Sequence, residues 1–230
     1  MSPVDWTEVE SSLDRLGFAT LPQVLTPAAC DALAGLYADD ALFRSRIDMA
    51  RFRFGVGEYK YFAAPLPPLV DALRHDLYAR LAPVANQWRA RLNASGPDFP
   101  PVLDAFLETC HSAGQRRPTP LLLSYETGGY NCLHQDIYGD IAFPLQVVLM
   151  LKRPDQEYRG GELLLVEQRP RAQSRAHVVC VDQGAAVVFA TRERPVAGTR
   201  GDYRVVMRHG VSTITWGSRM SLGIIFHDAR

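Results

Sequence analysis

Apolar positions in the first part of the chain recur at helical spacing. Trp6, Val9, Leu13 and Leu16 share one helical face, and Gly17 follows where a helix would stop. Phe18-Ala-Thr-Leu-Pro then reads as a short strand. Thr26 and Pro27 form an N-cap and N1 pair for a second helix, with Cys30, Leu33, Leu36 and Tyr37 on one face. Between Arg51 and Phe62 the period falls to two: Arg-Phe-Arg-Phe, then Gly-Val-Gly, then Glu-Tyr-Lys-Tyr-Phe. This alternation predicts a hairpin around a glycine turn, with its Arg face outward and its Phe face inward. A third helix is expected from about Pro68 to Leu92, with Val70, Leu73, Leu77 and Leu81 on one face. Gly96, Pro97, Pro100 and Pro101 break the chain after it.

From Pro120 onward the pattern is that of strands. Apolar runs fall at Leu121–Tyr125, Leu145–Leu151, Glu162–Val166, Val178–Val181, Ala185–Phe189, Tyr203–Met207 and Met220–Phe226, separated by Gly, Pro and Asp. Short strands without intervening helices predict a sandwich or small barrel rather than a βαβ sheet. The class is therefore α+β, with the N-terminal helices packed on one face of the sheet. One domain over residues 1–230 is expected, since neither half looks self-sufficient. The Gly96–Pro101 break is the place where a boundary would fall.

Composition narrows the class. With 230 residues, 47% apolar and 22% charged, the chain is globular and long enough to bury roughly 70% of its unfolded surface. The cysteines Cys30, Cys110, Cys132 and Cys180 are widely spaced, which excludes a zinc ribbon and a dense disulfide framework. The acidic, polar opening MSPVDWTEVE and the lack of any apolar run near about 18 residues lead us to expect a cytoplasmic protein that does not enter membranes. Cations and anions balance at 25 each, so no global field draws the chain to nucleic acid. Only Lys60 and Lys152 are lysines, and the remaining cations are arginines, suited to bidentate recognition of phosphate or carboxylate. A GC-rich genome would give the same bias.

The chemistry concentrates in five residues. His134 and Asp136 stand two apart, and at the end of a strand they would share a face. His209 comes from a later strand. Two imidazoles and one carboxylate on one side of a metal leave three positions open, as a redox-active Fe(II) needs when it holds a co-substrate and dioxygen together. Zinc hydrolysis more often uses a tetrahedral set completed by one water. Arg219 and Ser221 would share a strand face ten and twelve residues after His209, so that guanidinium and hydroxyl grip one carboxylate.

These residues resemble a known family. Tyr125 through Asp136 (Tyr-Glu-Thr-Gly-Gly-Tyr-Asn-Cys-Leu-His-Gln-Asp), Gly160-Gly161-Glu162-Leu163, and His209-Gly-Val through Arg219-Met-Ser221 are similar to the HxD, GGEL and distal His/RxS elements of Fe(II)- and 2-oxoglutarate-dependent oxygenases of prolyl-hydroxylase-like and AlkB-like type. The resemblance covers about residues 119–230. It implies a double-stranded β-helix (jelly-roll) core over 119–230, with residues 1–118 as helical support and candidate substrate lid. It also implies Fe(II) held by His134, Asp136 and His209, with 2-oxoglutarate held by Arg219 and Ser221 and contacted by Tyr125. O2 is then the oxidant, succinate the co-product, and hydroxylation of an N-methyl group would release formaldehyde. The other histidines, His75, His111, His177 and His227, are expected to be structural.

The candidate lid comprises Arg51, Phe52, Arg53, Phe54, Tyr59, Lys60 and Tyr61, which interleave cations for phosphates with aromatic rings for bases. AlkB-like demethylases carry such a lid ahead of the core, and a bacterial family of this layout is described as demethylating damaged DNA bases, so DNA repair is one implied role. Two departures from the AlkB pattern stand out. Leu123 occupies a position where those proteins have Asn, and Arg219-Met-Ser-Leu-Gly-Ile-Ile-Phe replaces their C-terminal signature. Three functions stay open at this point. They are an oxygenase of alkylated nucleobases, a hydroxylase of a protein residue or small metabolite, and a module that holds iron and 2-oxoglutarate without turnover.

Overall fold

The computed structural model describes residues 4–230. Helix α1 (Trp6–Leu16) starts at Asp5, whose carboxylate accepts the Thr7 N–H, and stops at Gly17 in the left-handed region. Strand β1 (Phe18–Leu21) follows. Helix α2 (Pro27–Gly35) is capped by Thr26, as predicted. Then come two 3-10 turns at Leu36–Ala38 and Asp40–Leu42, β2 (Phe43–Asp48), a third 3-10 turn at Met49–Phe52, β3 (Gly55–Val56), β4 (Glu58–Phe62), α3 (Pro68–Arg91) and α4 (Leu103–Ser112). The C-terminal half holds β5 (Leu121–Glu126), β6 (Tyr130–His134), β7 (Leu145–Met150), β8 (Tyr158–Gly160) and β9 (Leu163–Gln168). After these come β10 (Arg175–Val179), β11 (Ala186–Ala190), β12 (Glu193–Gly198), β13 (Gly201–Val211) and β14 (Ile214–Ile225).

The strands form two antiparallel sheets. The larger runs β1-β11-β7-β14-β5-β4-β2, with β8 beside β14. The smaller runs β10-β9-β13-β6-β3, with β12 beside β13. Every residue of β7 and β11 is buried, because helices cover one face of the larger sheet and the smaller sheet faces the other. A strand covered on both sides needs an unbroken apolar run rather than alternation, and these two sequences supply it. One buried cluster joins Leu13, Leu33, Leu77 and Leu81 of the helices to Val147, Val188 and Leu222 of the sheet. No described helix is long and apolar enough to cross a membrane.

The helical half also grips the end of β14. Arg74 of α3 donates to the carbonyls of Ile225 and Phe226 at 3.1 and 3.0 Å and to the Asp228 carboxylate at 2.8 Å. The other oxygen of Asp228 meets His111 of α4 at 2.9 Å. Arg74 and Asp228 are both buried, a setting where losing either partner would strand the other. His111 therefore has a structural role. His75 pairs with Asp104 at the surface, His177 lies edge-on to Phe18, and buried His227 accepts the Phe143 N–H.

Two expectations are corrected. The predicted hairpin exists, but β2 rather than the Arg-Phe-Arg-Phe run is its first strand, with Phe43 opposite Phe62 and Asp48 opposite Glu58. The Arg-Phe run forms the third 3-10 turn and the bend after it, because Asp48 caps the Ala50 N–H and Arg53 takes a left-handed conformation. Its two faces are consequently not separated: Phe52 and Phe54 are 54% and 47% exposed and stack on each other with ring centroids 5.6 Å apart. The segment 49–57 crosses between sheets, since β3 pairs with β6 of the smaller one and β4 with β5 of the larger.

Candidate metal centre

Strands β6 and β13 pair so that His134 lies opposite His209, with a bulge between His209 and Val211. Both imidazoles enter the space between the sheets, ring centroids 4.1 Å apart. Strand β6 ends at His134, so Asp136 reaches the same place from the loop beyond it rather than by strand alternation. That loop is pinned to β13 by Gln135, whose amide donates to the Met207 carbonyl at 2.7 Å. His134 Nε2 stands 3.5 Å from Asp136 Oδ1, and His209 Nε2 stands 3.1 Å from Oδ2. One ligand atom from each of the three residues lies within 4.8 Å of the others. Neighbouring ligands on an octahedral ion with bonds of about 2.1 Å are about 3 Å apart, so the spacing suits one cation.

The electrostatics agree with a cation site. Burial by itself would raise the Asp136 carboxyl, but the charges and hydrogen bonds of His209 and His134 hold it well below the usual range. Burial lowers His209, helped by the charge of His134. A buried anion between two imidazoles is the donor set that a divalent metal takes up.

The second cluster lies on β14. Arg219 and Ser221 point the same way, as two-residue spacing requires, and each is 1% exposed. Arg219 Nη1 donates to Ser221 Oγ at 3.2 Å, and the guanidinium stands 5.5 Å from the centre of the Tyr125 ring. Its Nε and Nη2 are buried with no hydrogen-bond partner among the described residues. Such orphaned donors are costly and call for an anion. Gly161 makes room for this arginine: its φ is +69°, and a Cβ there would stand 2.7 Å from Arg219 Cδ.

One cavity of about 340 Å³ takes in the triad, Arg219, Ser221 and Tyr125. Tyr59, Tyr61, Arg53 and Phe54 of the candidate lid also line it. Lys60 does not belong with them. It occupies the opposite face of β4, 5% exposed, with its ammonium 2.6 Å from Asp40 and 2.9 Å from the Tyr37 carbonyl. Arg51 is exposed and reaches Asp48 at 3.6 Å, and Phe52 meets the cavity only through its stack on Phe54.

Among the cavity residues that escape the sequence reading are Asn131, Gln146 and Tyr138. Gln146 is a buried amide in the otherwise apolar run of β7, which was a visible signal. Its Nε2 lies 3.5 Å from His209 Nδ1. Tyr138 stands two residues past Asp136 and donates to its Oδ1 at 2.6 Å. Asn131 donates to the Tyr125 hydroxyl at 3.4 Å.

Comparisons with known proteins fit this geometry. A family model described as an oxygenase catalysing oxidative methylation of damaged DNA matches residues 57–229. Two uncharacterized proteins of Mycobacterium tuberculosis, from strains CDC 1551 / Oshkosh and ATCC 25618 / H37Rv, are each 50% identical over 168 residues, covering 73% of this chain and 72% of theirs. Among solved structures, a Pseudomonas putida prolyl-4-hydroxylase superposes with a TM-score of 0.58 at 20% identity, covering 98% of this chain and 99% of that one. An oxidoreductase of the 2OG-Fe(II) oxygenase family from Burkholderia pseudomallei gives 0.57 at 14%, covering 97% and 91%. These likenesses establish the double-stranded β-helix fold, and with the HxD…H triad they imply Fe(II) and 2-oxoglutarate. The chain belongs to the family of oxygenases described as catalysing oxidative methylation of damaged DNA.

Proposed function

We propose that the whole chain works as one catalytic unit, an Fe(II)- and 2-oxoglutarate-dependent oxygenase that hydroxylates or oxidatively demethylates alkylated nucleobases. One observation carries the reading. A cavity of about 340 Å³ joins two imidazoles and a carboxylate to a guanidinium with two buried nitrogens that find no partner among the described residues, and its mouth is bordered by arginine and stacked phenylalanine.

His134, Asp136 and His209 would hold the iron, and Arg219 with Ser221 would hold the far carboxylate of 2-oxoglutarate. When bound, the iron and the keto acid together use O2 to deliver a hydroxyl to the substrate, with succinate and CO2 as co-products. The protein contributes orientation and dryness. Tyr125 is fully buried beside the arginine, so its charge-assisted hydrogen bonds form with little competition from water. At the mouth, the exposed Phe52–Phe54 stack offers a platform for a base, and Arg51 and Arg53 offer phosphate contacts. A local patch of this kind is sufficient for a single strand or a flipped base, where the overall charge is zero. Hydroxylation of an N-methyl carbon gives a hemiaminal that falls apart to formaldehyde and the free base.

The apolar Leu133 on the same cavity favours a second reading, hydroxylation of a peptide side chain. Succinate and formaldehyde measured side by side on N-methylated DNA and RNA oligonucleotides and on peptides test both. Formaldehyde from oligonucleotides alone is the expected result. Turnover of peptides alone would replace the first reading with the second, and substrate-independent silence in succinate would refute both.

A further inference from the structure

Each of the three converging side chains has one outer partner. His134 Nδ1 faces the Cys132 carbonyl at 2.8 Å, His209 Nδ1 faces the Gln146 amide at 3.5 Å, and Asp136 Oδ1 receives the Tyr138 hydroxyl at 2.6 Å. Partners of this sort set the orientation of a metal ligand. The Tyr138 contact does more, because a carboxylate has two oxygens and the contact distinguishes them. The Tyr61 hydroxyl, 2.9 Å away, donates its proton to the Tyr138 oxygen. An ionised carboxylate only accepts, so the single Tyr138 proton goes to Asp136 Oδ1, and the Tyr138 oxygen is left to accept from Tyr61. The other oxygen, Oδ2, stays turned toward His209 Nε2 at 3.1 Å, whereas Oδ1, which stands 3.5 Å from His134 Nε2, has the Tyr138 hydroxyl on one of its lone pairs. The Tyr138 ring is held in place by the Tyr61 ring, perpendicular at 6.1 Å, and by the His227 ring at 6.0 Å.

On the reading that His134, Asp136 and His209 hold the metal, we infer that Tyr138 is a positioning residue that keeps Asp136 a one-oxygen ligand, with Tyr61 directing the Tyr138 proton. The consequence is a count of open positions. Two imidazoles and one oxygen leave three of six positions free, whereas a two-oxygen carboxylate leaves two. A keto acid bound through two oxygens, together with O2, needs all three. Tyr61 belongs to β4, whose neighbouring Tyr59 also lines the cavity, so two hydroxyls link the wall of the substrate mouth to the metal-binding carboxylate.

The test uses Mn(II) alone on the full chain, without co-substrate, and reads both its Kd and the water-proton relaxivity per bound ion, which counts metal-bound waters. For Tyr138→Phe the expected result is a Kd raised about tenfold or more and a relaxivity lower by about a third, as three waters become two. A weakened Kd with wild-type relaxivity would mean that Tyr138 only supports the loop, and would overturn the inference, as would no change in either. Tyr61→Phe is expected to fall between wild type and Tyr138→Phe. It decides the matter if Tyr138→Phe does not fold, and wild-type values in it would then overturn the inference. If the wild-type chain binds no Mn(II), the metal-site reading itself fails, a result distinguishable from a wild type that binds and a Tyr138→Phe variant that matches it.

Discussion

Replacing Arg219 by Met removes the charge while keeping much of the side-chain volume. In the free protein this arginine is buried, and its Nε and Nη2 donate to none of the described residues. A carboxylate placed there would gain charge-assisted hydrogen bonds worth about 1.5–3 kcal/mol each. Removing one partner of a buried, hydrogen-bonded pair costs about 3–5 kcal/mol. At 1.4 kcal/mol per decade, this raises the 2-oxoglutarate Kd by a factor of about a hundred to several thousand. Calorimetric titration of the Mn(II)-loaded protein under anaerobic conditions would measure it. The same variant should leave the thermal midpoint of the ligand-free protein unchanged or slightly higher, because the substitution relieves two unpaired donors. At a concentration of 100 Kd for wild type, the ligand stabilises wild type by about 2.7 kcal/mol and should barely stabilise the variant. A 2-oxoglutarate Kd within threefold of wild type would refute the role given to Arg219. A large fall in ligand-free stability would refute the reasoning about the orphaned donors.

Other expectations follow from the same geometry. His134→Ala and Asp136→Ala should each abolish metal binding and turnover, and normal substrate-free decarboxylation of 2-oxoglutarate in either would contradict the triad. Arg51→Glu combined with Arg53→Glu should weaken single-stranded oligonucleotide binding and flatten its log–log salt dependence by about 1–2 units, as expected for two lost phosphate contacts. An unmoved slope would remove the mouth from nucleic-acid recognition. Burial works against the Glu157 carboxylate, yet hydrogen bonds from the Arg153 backbone and from Lys152 and Arg153 bring it down to about 2 from an ordinary 4.5. Its folded value is depressed, so its stabilising contribution is present above about pH 4.5 and lost as pH falls toward about 2. Urea midpoints should therefore drop less between about pH 6 and pH 3 in Glu157→Gln than in wild type, and parallel curves would disprove the assignment.

Local signals were legible where local physics decides the outcome. Thr26-Pro27 and Gly17 bound their helices because capping is settled within a few residues. Arg219 and Ser221 share a face because a strand alternates. The Arg51–Phe54 run does not follow the same reasoning. Arg-Phe-Arg-Phe alternates, but a capping aspartate three residues earlier turns the backbone before alternation can act, and Lys60 finds Asp40 and Tyr37 on the far side of β4. The sequence pattern predicts neither helix α4 nor the bounds of β6. Strand β6 lies in the smaller sheet with three of its five residues exposed and none fully buried, so its sequence, Tyr-Asn-Cys-Leu-His, lacks a clean apolar period. The contacts of Gln146 with His209 and of Tyr61 with Tyr138 join residues far apart in the chain, and no window of sequence contains them.

The grip of Arg74 on Asp228 has a practical meaning for recombination. The break at residues 96–101 invites splicing of one relative's front half onto another's back half, yet that cut parts a buried guanidinium from the carboxylate and carbonyls that satisfy it. Chimeras joined there should fold only when both parents carry this matched pair, and β14, which bears Arg219, would be the first strand to loosen in a mismatched hybrid.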